Sequence, residues 1–214
     1  MSNSQNQRLA SEDRRRQLIE TALDFFARQG FEGTTTKEIA AAAGVTEAII
    51  FRHFPNKQAL YTAVLAWKHE SGEFDTVMAG WRSFMDANDD IALFRDIIQK
   101  VIEGFRRDAR IHRALFFAAL EGHETGMQQH RERSLPVFEL LCQYVARRQS
   151  EGAIRPGSPG AIVGAIVGTA YHYGMMTEFF GFCHDSTDGQ VAAAHLDIIL
   201  HGILPAAPIE KANS

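Results

Sequence analysis

Residues 34–54 read TTTKEIAAAAGVTEAIIFRHF, and this stretch decides the fold of the N-terminal part of the chain. Thr35 followed by Glu38 is the pattern of a capping box, in which two residues satisfy free backbone amides at a helix start. Gly44 marks the end of this short helix, because glycine adopts the left-handed conformation there without strain. Thr46 is placed to cap a second helix. The stretch therefore predicts two short helices joined by a tight turn.

This pair of helices has the layout of a helix-turn-helix, a motif whose second helix lies in the major groove of DNA. Helical spacing predicts an inward stripe of Ala48, Ile49, Ile50 and Phe54, and an outward set of Thr46, Glu47, Phe51, Arg52 and His53. Pro55 limits the second helix, because proline disfavours helical geometry in the residue before it. A similar bend also occurs in helical proteins that never touch nucleic acid. DNA binding is favoured because the whole pattern is present.

The segment resembles the DNA-binding region of the TetR family of bacterial transcriptional regulators. Three blocks carry the resemblance: GFEGTT over residues 30–35, AAAAGV over residues 40–45 and IFRHFPNK over residues 50–57. The preceding helix also fits, since apolar residues at helical spacing lead to a stop at Gly30. Similarity of motifs covers residues 14–61, and beyond them only a helical architecture is shared.

The expected fold class is all-α, with an N-terminal three-helix unit that contains the helix-turn-helix and a larger C-terminal helical domain. We expect a DNA-binding domain over residues 1–57, in which 1–12 are disordered, and a ligand-binding and dimerisation domain over residues 58–214. About nine helices are predicted, at roughly 11–30, 35–43, 46–53, 56–80, 89–108, 110–122, 124–150, 159–181 and 188–203. Ser71 and Gly72 weaken the fourth helix, and Pro136 predicts a kink or a restart in the seventh.

Composition and charge agree with a globular protein that binds DNA locally. The chain has 214 residues, of which 45% are hydrophobic and 22% charged, so it is long enough for one or two domains with a core. Its net charge is −4, but residues 1–68 carry +2 and the remainder −6. Such a small basic excess indicates dependence on individual phosphate contacts rather than on a broad positive field.

Several features predict a cytoplasmic protein. The two cysteines, Cys142 and Cys183, do not make a disulfide framework, so a reducing compartment is expected. The polar N-terminus lacks the apolar core of a signal peptide. Residues 161–182 are long and mostly apolar, but they include His172 and Glu178, which would be costly in lipid. No membrane span is therefore predicted.

The resemblance implies a set of DNA contacts in and around the motif. These are Thr35, Lys37, Thr46, Glu47, Ala48, Phe51, Arg52, His53 and Lys57. Relatives often have tyrosine where this chain has Phe51, so that ring either touches a thymine methyl group or packs. Glu47 is turned away, accepts from cytosine N4 or pairs with a neighbouring arginine such as Arg52. The three arginines at residues 14–16 either reach phosphate or form a solvated helix face.

About two thirds of the chain lies beyond this block, which is too much for a tether. Aromatic stripes at helical spacing are usually core, but the resemblance implies a cavity for a small, largely apolar or aromatic ligand. The candidate ligand-binding residues are Trp67, Phe105, Phe116, Phe117, Phe138, Tyr171 and Met175. A ligand would act through its different affinity for two states of the protein.

A homodimer is expected, because one helix-turn-helix offers little contact and two-fold dimers bind paired half-sites. The resemblance places the last two helices in a four-helix interface. The candidate interface residues are Ala161, Gly164, Ala165, Gly168, Ile199 and Ile203, although packing within one chain would also explain the glycines.

No enzyme site, metal site or cofactor is predicted. His123-Glu124 begins like a zinc-protease motif, but Met127 stands where the second histidine would be required. The roles of His112, His123 and His130 stay open. The expected function is that of a dimeric repressor released from its operator by a ligand. The alternatives are a regulator controlled by a protein partner, and an all-α enzyme or carrier with a vestigial helix-turn-helix.

Overall fold

The computed structural model describes residues 2–66, 73–182 and 186–203, and within them it has ten helices and no strand. In chain order they are α1 (Ser2–Gln29), α2 (Thr36–Ala42), α3 (Glu47–His53), α4 (Lys57–Ala66), α5 (Glu73–Asp86), α6 (Asp90–Arg107), α7 (Arg110–Leu120), α8 (Glu124–Ser150), α9 (Pro159–Phe180) and α10 (Asp188–Ile203). The predicted all-α fold class is confirmed. The tenth helix arises because two helices, α4 and α5, occupy the region predicted as one.

The start of α1 differs from the expectation, and the two predicted helix interruptions have different outcomes. Helix α1 begins at Ser2, whereas the sequence predicts disorder over residues 1–12. Residues 2–28 contain no glycine or proline, so nothing stops the helix from extending towards the N-terminus. Ser71 and Gly72, where a bend or end was expected, lie outside the described residues. Helix α8 runs through Pro136 without a restart, although proline removes one backbone hydrogen bond there.

The chain divides into two compact units that are each built from separated segments. Unit 1 comprises Met1–Phe74 and Asp108–Arg133, and unit 2 comprises Asp75–Arg107 and Ser134–Ser214. The division of function at residue 57 stays a prediction.

Unit 1 is organised by α1, against which α2, α4 and α7 pack. Its core is apolar and almost wholly buried, with members from α1, α2, α3, α4 and α7: Leu18, Ile19, Phe26, Ile39, Ile50, Leu60, Tyr61, Val64, Ala114 and Ala118. Inside this core, the hydroxyl of Tyr61 donates a hydrogen bond to the Ala114 carbonyl at 3.0 Å. Helix α7 is thus part of the body that holds the helix-turn-helix, although more than 50 residues separate it from that motif.

Unit 2 is organised by α6, which packs against α9 and α10. Gly174 allows the close approach of α9, since a Cβ atom there would lie 2.5 Å from the Phe105 ring. Arg106 joins all three helices: it donates to Glu178 at 2.7 Å and to both oxygens of Asp188, at 3.1 Å to the nearer. In the described part of the chain, no helix is both long and apolar enough to cross a membrane.

Candidate nucleic-acid interface

The turn that leads from α1 into α2 is held from both sides. Gly30 ends α1 with a φ of 71°, and the buried Thr34 hydroxyl donates back to the Gly30 carbonyl at 2.7 Å. Directly after the end of α7, the Glu121 carboxylate accepts hydrogen bonds from the backbone amides of Phe31 at 2.9 Å and Glu32 at 3.3 Å. A side chain at position 30 would collide with that carboxylate, because a Cβ atom would lie 2.2 Å from Glu121 Oε1.

The start of α2 has the predicted capping box. The Thr35 hydroxyl accepts from the Glu38 amide at 3.2 Å, and Glu38 accepts from the Thr35 amide at 2.9 Å. Hydrogen bonds from the Thr35 side chain and backbone lower the pKa of Glu38. Thr35 and Lys37 are both exposed, at the end of the helix where free amides and the helix dipole favour an anion.

Gly44 makes the predicted turn between α2 and α3, with a φ of 67°. Thr46 occupies the cap position of α3 with an extended backbone, but its side chain makes no capping hydrogen bond. The prediction of a side-chain cap at Thr46 was therefore wrong. Ile50 and Phe54 anchor α3 in the core of unit 1, being 0% and 3% exposed.

The opposite side of α3 is open to solvent. Thr46, Ala48, Phe51 and Arg52 are exposed, and His53 is half-buried. Ala48 thus lies outside the inward stripe that the sequence predicts, because it precedes Phe51 by one turn of the helix and shares its face.

Glu47 is half-buried and turned towards α2. Its carboxylate accepts a hydrogen bond from the Thr36 hydroxyl at 2.6 Å. This contact agrees with the alternative in which Glu47 is turned away, and the role of Glu47 towards DNA stays a prediction. The bond joins the first residue of α3 to the first residue of α2, so it fixes the angle between the two helices.

Positive charge converges on the C-terminal end of α3. The Arg15 guanidinium of α1 lies 5.3 Å from the centroid of the Phe54 ring. Burial, and after it the positive charges of Arg52, Arg15 and Arg14, lower the pKa of His53. This end of the motif is therefore suited to meet an anion, even though the whole chain is acidic.

Lys57, the first residue of α4, is half-buried rather than extended into solvent. Its ammonium group lies 4.1 Å from the centroid of the Phe31 ring, a distance typical of a cation–π contact. The same ring touches His123, with ring centroids 4.2 Å apart. Phe31, which belongs to the turn before α2, is thus contacted by Lys57, His123 and Glu121.

The candidate ligand residues fall into two groups. Phe116 and Phe117 belong to α7 in unit 1, whereas Phe105, Phe138, Tyr171 and Met175 belong to unit 2; Trp67 lies outside the described residues. Within unit 2, Phe105 and Tyr171 meet edge to face with ring centroids 4.8 Å apart. Burial raises the pKa of Tyr171 to about 12. Phe138 instead lies near Gly160 at the start of α9.

The candidate dimer residues of α9 form one exposed stripe, consisting of Ala161, Gly164, Ala165 and Gly168. Apart from the backbone of α9 itself, the described residues place no atom within 4 Å of a Cβ built at either glycine, so packing among them does not require these glycines. On α10, Ile199 is 8% exposed and therefore buried within the chain, whereas its neighbour Ile198 is a large apolar side chain that is 70% exposed. Ile203 ends α10, and its side chain is outside the described part.

Two positions that shape the motif were missed by the sequence reasoning. Glu121 acts on a turn 90 residues away, and no local pattern indicates such a contact. Thr36 stands inside a run of three threonines, in which the capping box singles out only its neighbour Thr35. Among the described residues, no group of three or more histidine, cysteine or acidic side chains could hold a metal ion.

Comparison with known proteins finds relatives whose similarity includes the helix-turn-helix of α2 and α3. Residues 18–64 match the family model described as bacterial regulatory proteins, tetR family. The HTH-type transcriptional regulator RutR of Escherichia coli is 25% identical over 160 residues, which are 75% of this chain and 73% of that protein.

Two solved structures share the fold over most of their length. A crystal structure of AibR in complex with isovaleryl coenzyme A and operator DNA has a TM-score of 0.65 at 22% identity and covers 86% of this chain and 97% of that chain. The ketosteroid transcriptional regulator KstR2 of Mycobacterium tuberculosis has a TM-score of 0.64 at 21% identity, with 90% and 96% covered. These two structures show a shared fold, and the family match over the helix-turn-helix together with the similarity to RutR identifies the chain as a member of the TetR family of DNA-binding transcriptional regulators.

Proposed function

We propose that this protein is a homodimeric repressor that binds a pseudo-palindromic operator near its own gene and is released by a small, largely apolar or aromatic ligand. The observation that supports this most is the open face of α3, where Ala48, Phe51 and Arg52 point away from the core. A rigid helix with one buried and one exposed side is what insertion into a major groove requires.

The remaining DNA contacts would position the protein rather than read bases. Thr35 and Lys37 stand at the start of α2, where a phosphate would find both amide donors and a cation. Lys57 would reach phosphate only by leaving the ring of Phe31, so its contact with DNA would be coupled to the turn before α2. Arg14 and Arg15 would add positive charge beside α3.

The ligand and the dimer would both depend on unit 2. Phe105 and Tyr171 supply adjoining aromatic rings, and AibR was crystallised with isovaleryl coenzyme A and operator DNA together. The exposed small residues of α9, with Ile198 of α10, would meet the same surface of a second copy across a two-fold axis. We propose a cytoplasmic location and no enzymatic activity.

A competition mobility-shift assay with DNA from upstream of the protein's own gene tests DNA binding. The complex is expected to survive excess shuffled DNA and to weaken as salt rises. Arg52→Ala is expected to abolish the specific complex. Arg82→Ala removes an equal charge from an exposed position on α5 and is expected to leave binding intact. A wild-type protein that prefers no sequence would contradict the proposal.

Thermal unfolding with a library of apolar and aromatic compounds tests the ligand. A compound present at a hundred times its dissociation constant is expected to stabilise the protein by about 2.7 kcal/mol. It must also weaken the operator complex, because a ligand changes DNA affinity only through differential binding. Operator binding without any stabilising compound would favour control by a protein partner. Compound binding without operator binding would favour a carrier or an enzyme.

A further inference from the structure

The apolar part of the open face of α3 takes no part in the described core of unit 1. Phe51 is 46% exposed and is absent from the core of unit 1, which takes Ile50 and Phe54 from the same segment. Ala48 is exposed one turn earlier, so the two side chains lie side by side on one face. Covering an exposed phenyl ring with a partner is favourable, because it removes apolar surface from water.

The neighbouring carboxylate of Glu47, which could read a base, already accepts a hydrogen bond within the protein. Glu47 lies beside Ala48 in the chain, but its carboxylate accepts the Thr36 hydroxyl at 2.6 Å and is partly buried. Reading cytosine N4 with that carboxylate would break the bond that joins α2 to α3. The exposed side chains that can read a base by hydrogen bonds are then Thr46 and Arg52, whereas Ala48 and Phe51 present only carbon.

The chemistry of the major groove decides what such a carbon surface recognises. Each base pair presents hydrogen-bond donors and acceptors in this groove, and its one apolar group is the C5 methyl of thymine. A phenyl ring and a methyl side chain offer neither a strong donor nor a strong acceptor. The surrounding cations, Arg52 on α3 and Arg14 and Arg15 on α1, suit a phosphate backbone better than an apolar protein surface.

We propose that Ala48 and Phe51 form a thymine-reading surface, which gives the operator half-site a required thymine whose methyl group lies against the Phe51 ring. The inference rests on the proposed function, since it assumes that α3 enters the major groove. It adds that Phe51 determines specificity and that Glu47 is a positioning residue.

Replacing thymine by uracil isolates the methyl group, because uracil pairs identically and lacks only that group. The probe is a synthetic duplex that covers the footprinted operator, with each thymine of a half-site replaced in turn. At one or two positions, uracil is expected to weaken wild-type binding about fourfold per half-site, the value of one buried methyl group. At those positions Phe51→Ala is expected to bind both duplexes equally, whereas Phe51→Tyr, which keeps the ring, is expected to remain sensitive.

Ile91→Ala is the matched control, because it removes an exposed apolar side chain, 48% exposed, from α6. It is expected to bind like wild type and to discriminate uracil normally. Tight, specific operator binding with no uracil-sensitive position would overturn the inference and leave the proposed function intact. A Phe51→Ala variant with unchanged DNA affinity and an altered oligomeric state would also overturn it, in favour of a protein contact. The absence of specific binding by the wild type would instead contradict the proposed function itself.

Discussion

Gly44 controls the geometry of the motif through its backbone alone. Its φ is 67°, and apart from its two chain neighbours no residue in the described part of the chain comes within 4 Å of the place that a Cβ would take. Gly44→Ala is therefore expected to lower the free energy of unfolding by about 1–2 kcal/mol through strain without a clash. Gly80→Ala is the matched control, because Gly80 lies inside α5 in equally open space without a positive φ, and alanine there is expected to stabilise by about 0.5–1 kcal/mol. Equal effects in urea unfolding would contradict this account.

We expect His53 to make the free energy of unfolding depend on pH. Burial, followed by the charges of Arg52, Arg15 and Arg14, lowers its pKa in the folded state below the ordinary value of 6.5. The unfolded chain then binds the proton more readily, so this residue's contribution to stability is present above pH 6.5 and is lost as the pH falls through the folded pKa. The difference in free energy of unfolding between wild type and His53→Gln is expected to shrink as the pH is lowered from 8 to about 5. A difference that stays constant over this range would show that neither burial nor those charges lower the pKa of His53.

Between helices, the packing of α6 against α9 depends on one glycine. A Cβ at Gly174 would lie 2.5 Å from two atoms of the Phe105 ring and 2.9 Å from Phe105 Cβ. Gly174→Ala is expected to destabilise the protein by about 1–3 kcal/mol through overpacking. Adding Phe105→Leu removes the ring and is expected to recover part of this loss, so the double-mutant cycle should show coupling. Additive effects of the two substitutions would mean that the helices do not meet here.

Features of the helices that depend on neighbouring residues can be predicted from the sequence, whereas contacts between distant residues cannot. The capping box at Thr35 and the turn at Gly44 are local, since each depends on neighbours within a few residues. Glu47 and Glu121 make bonds to residues 11 and 90 positions away. Such bonds follow from tertiary packing, which periodicity does not encode. The scaffold of the candidate site was therefore predictable, whereas the orientation of Glu47 and the support from α7 were not.

For the whole molecule, dimerisation is predicted to depend on the exposed stripe of α9. Gly164→Leu is expected to leave the monomer folded, because a Cβ there lies more than 4 Å from the described atoms outside the adjacent backbone of α9. It is expected to separate the proposed dimer by keeping the two copies apart. Ala79→Leu, at an exposed position on α5, is the control. Sedimentation of both variants distinguishes the outcomes, and a Gly164→Leu protein that remains a tight dimer would exclude this residue from the interface.

The division of the chain is a property of the whole molecule that the sequence motif does not reveal. The motif ends near residue 61, yet unit 1 also takes residues 108–133, because Ala114 and Ala118 of α7 complete the core around α1. Small residues at helical spacing predict close packing, but they do not specify the partner helix. The all-α class could be predicted from periodicity, whereas the membership of α7 could not.

Hydroxyl-radical footprinting of the protein on DNA from upstream of its own gene tests the central claim most directly. The account predicts two protected tracts related by two-fold symmetry, with centres about 34–36 Å apart, as two copies of α3 in successive major grooves require. Arg52→Ala is expected to lose both tracts, and Arg82→Ala to retain them. A folded, dimeric protein that protects no specific tract, or only a single one, would contradict the claim.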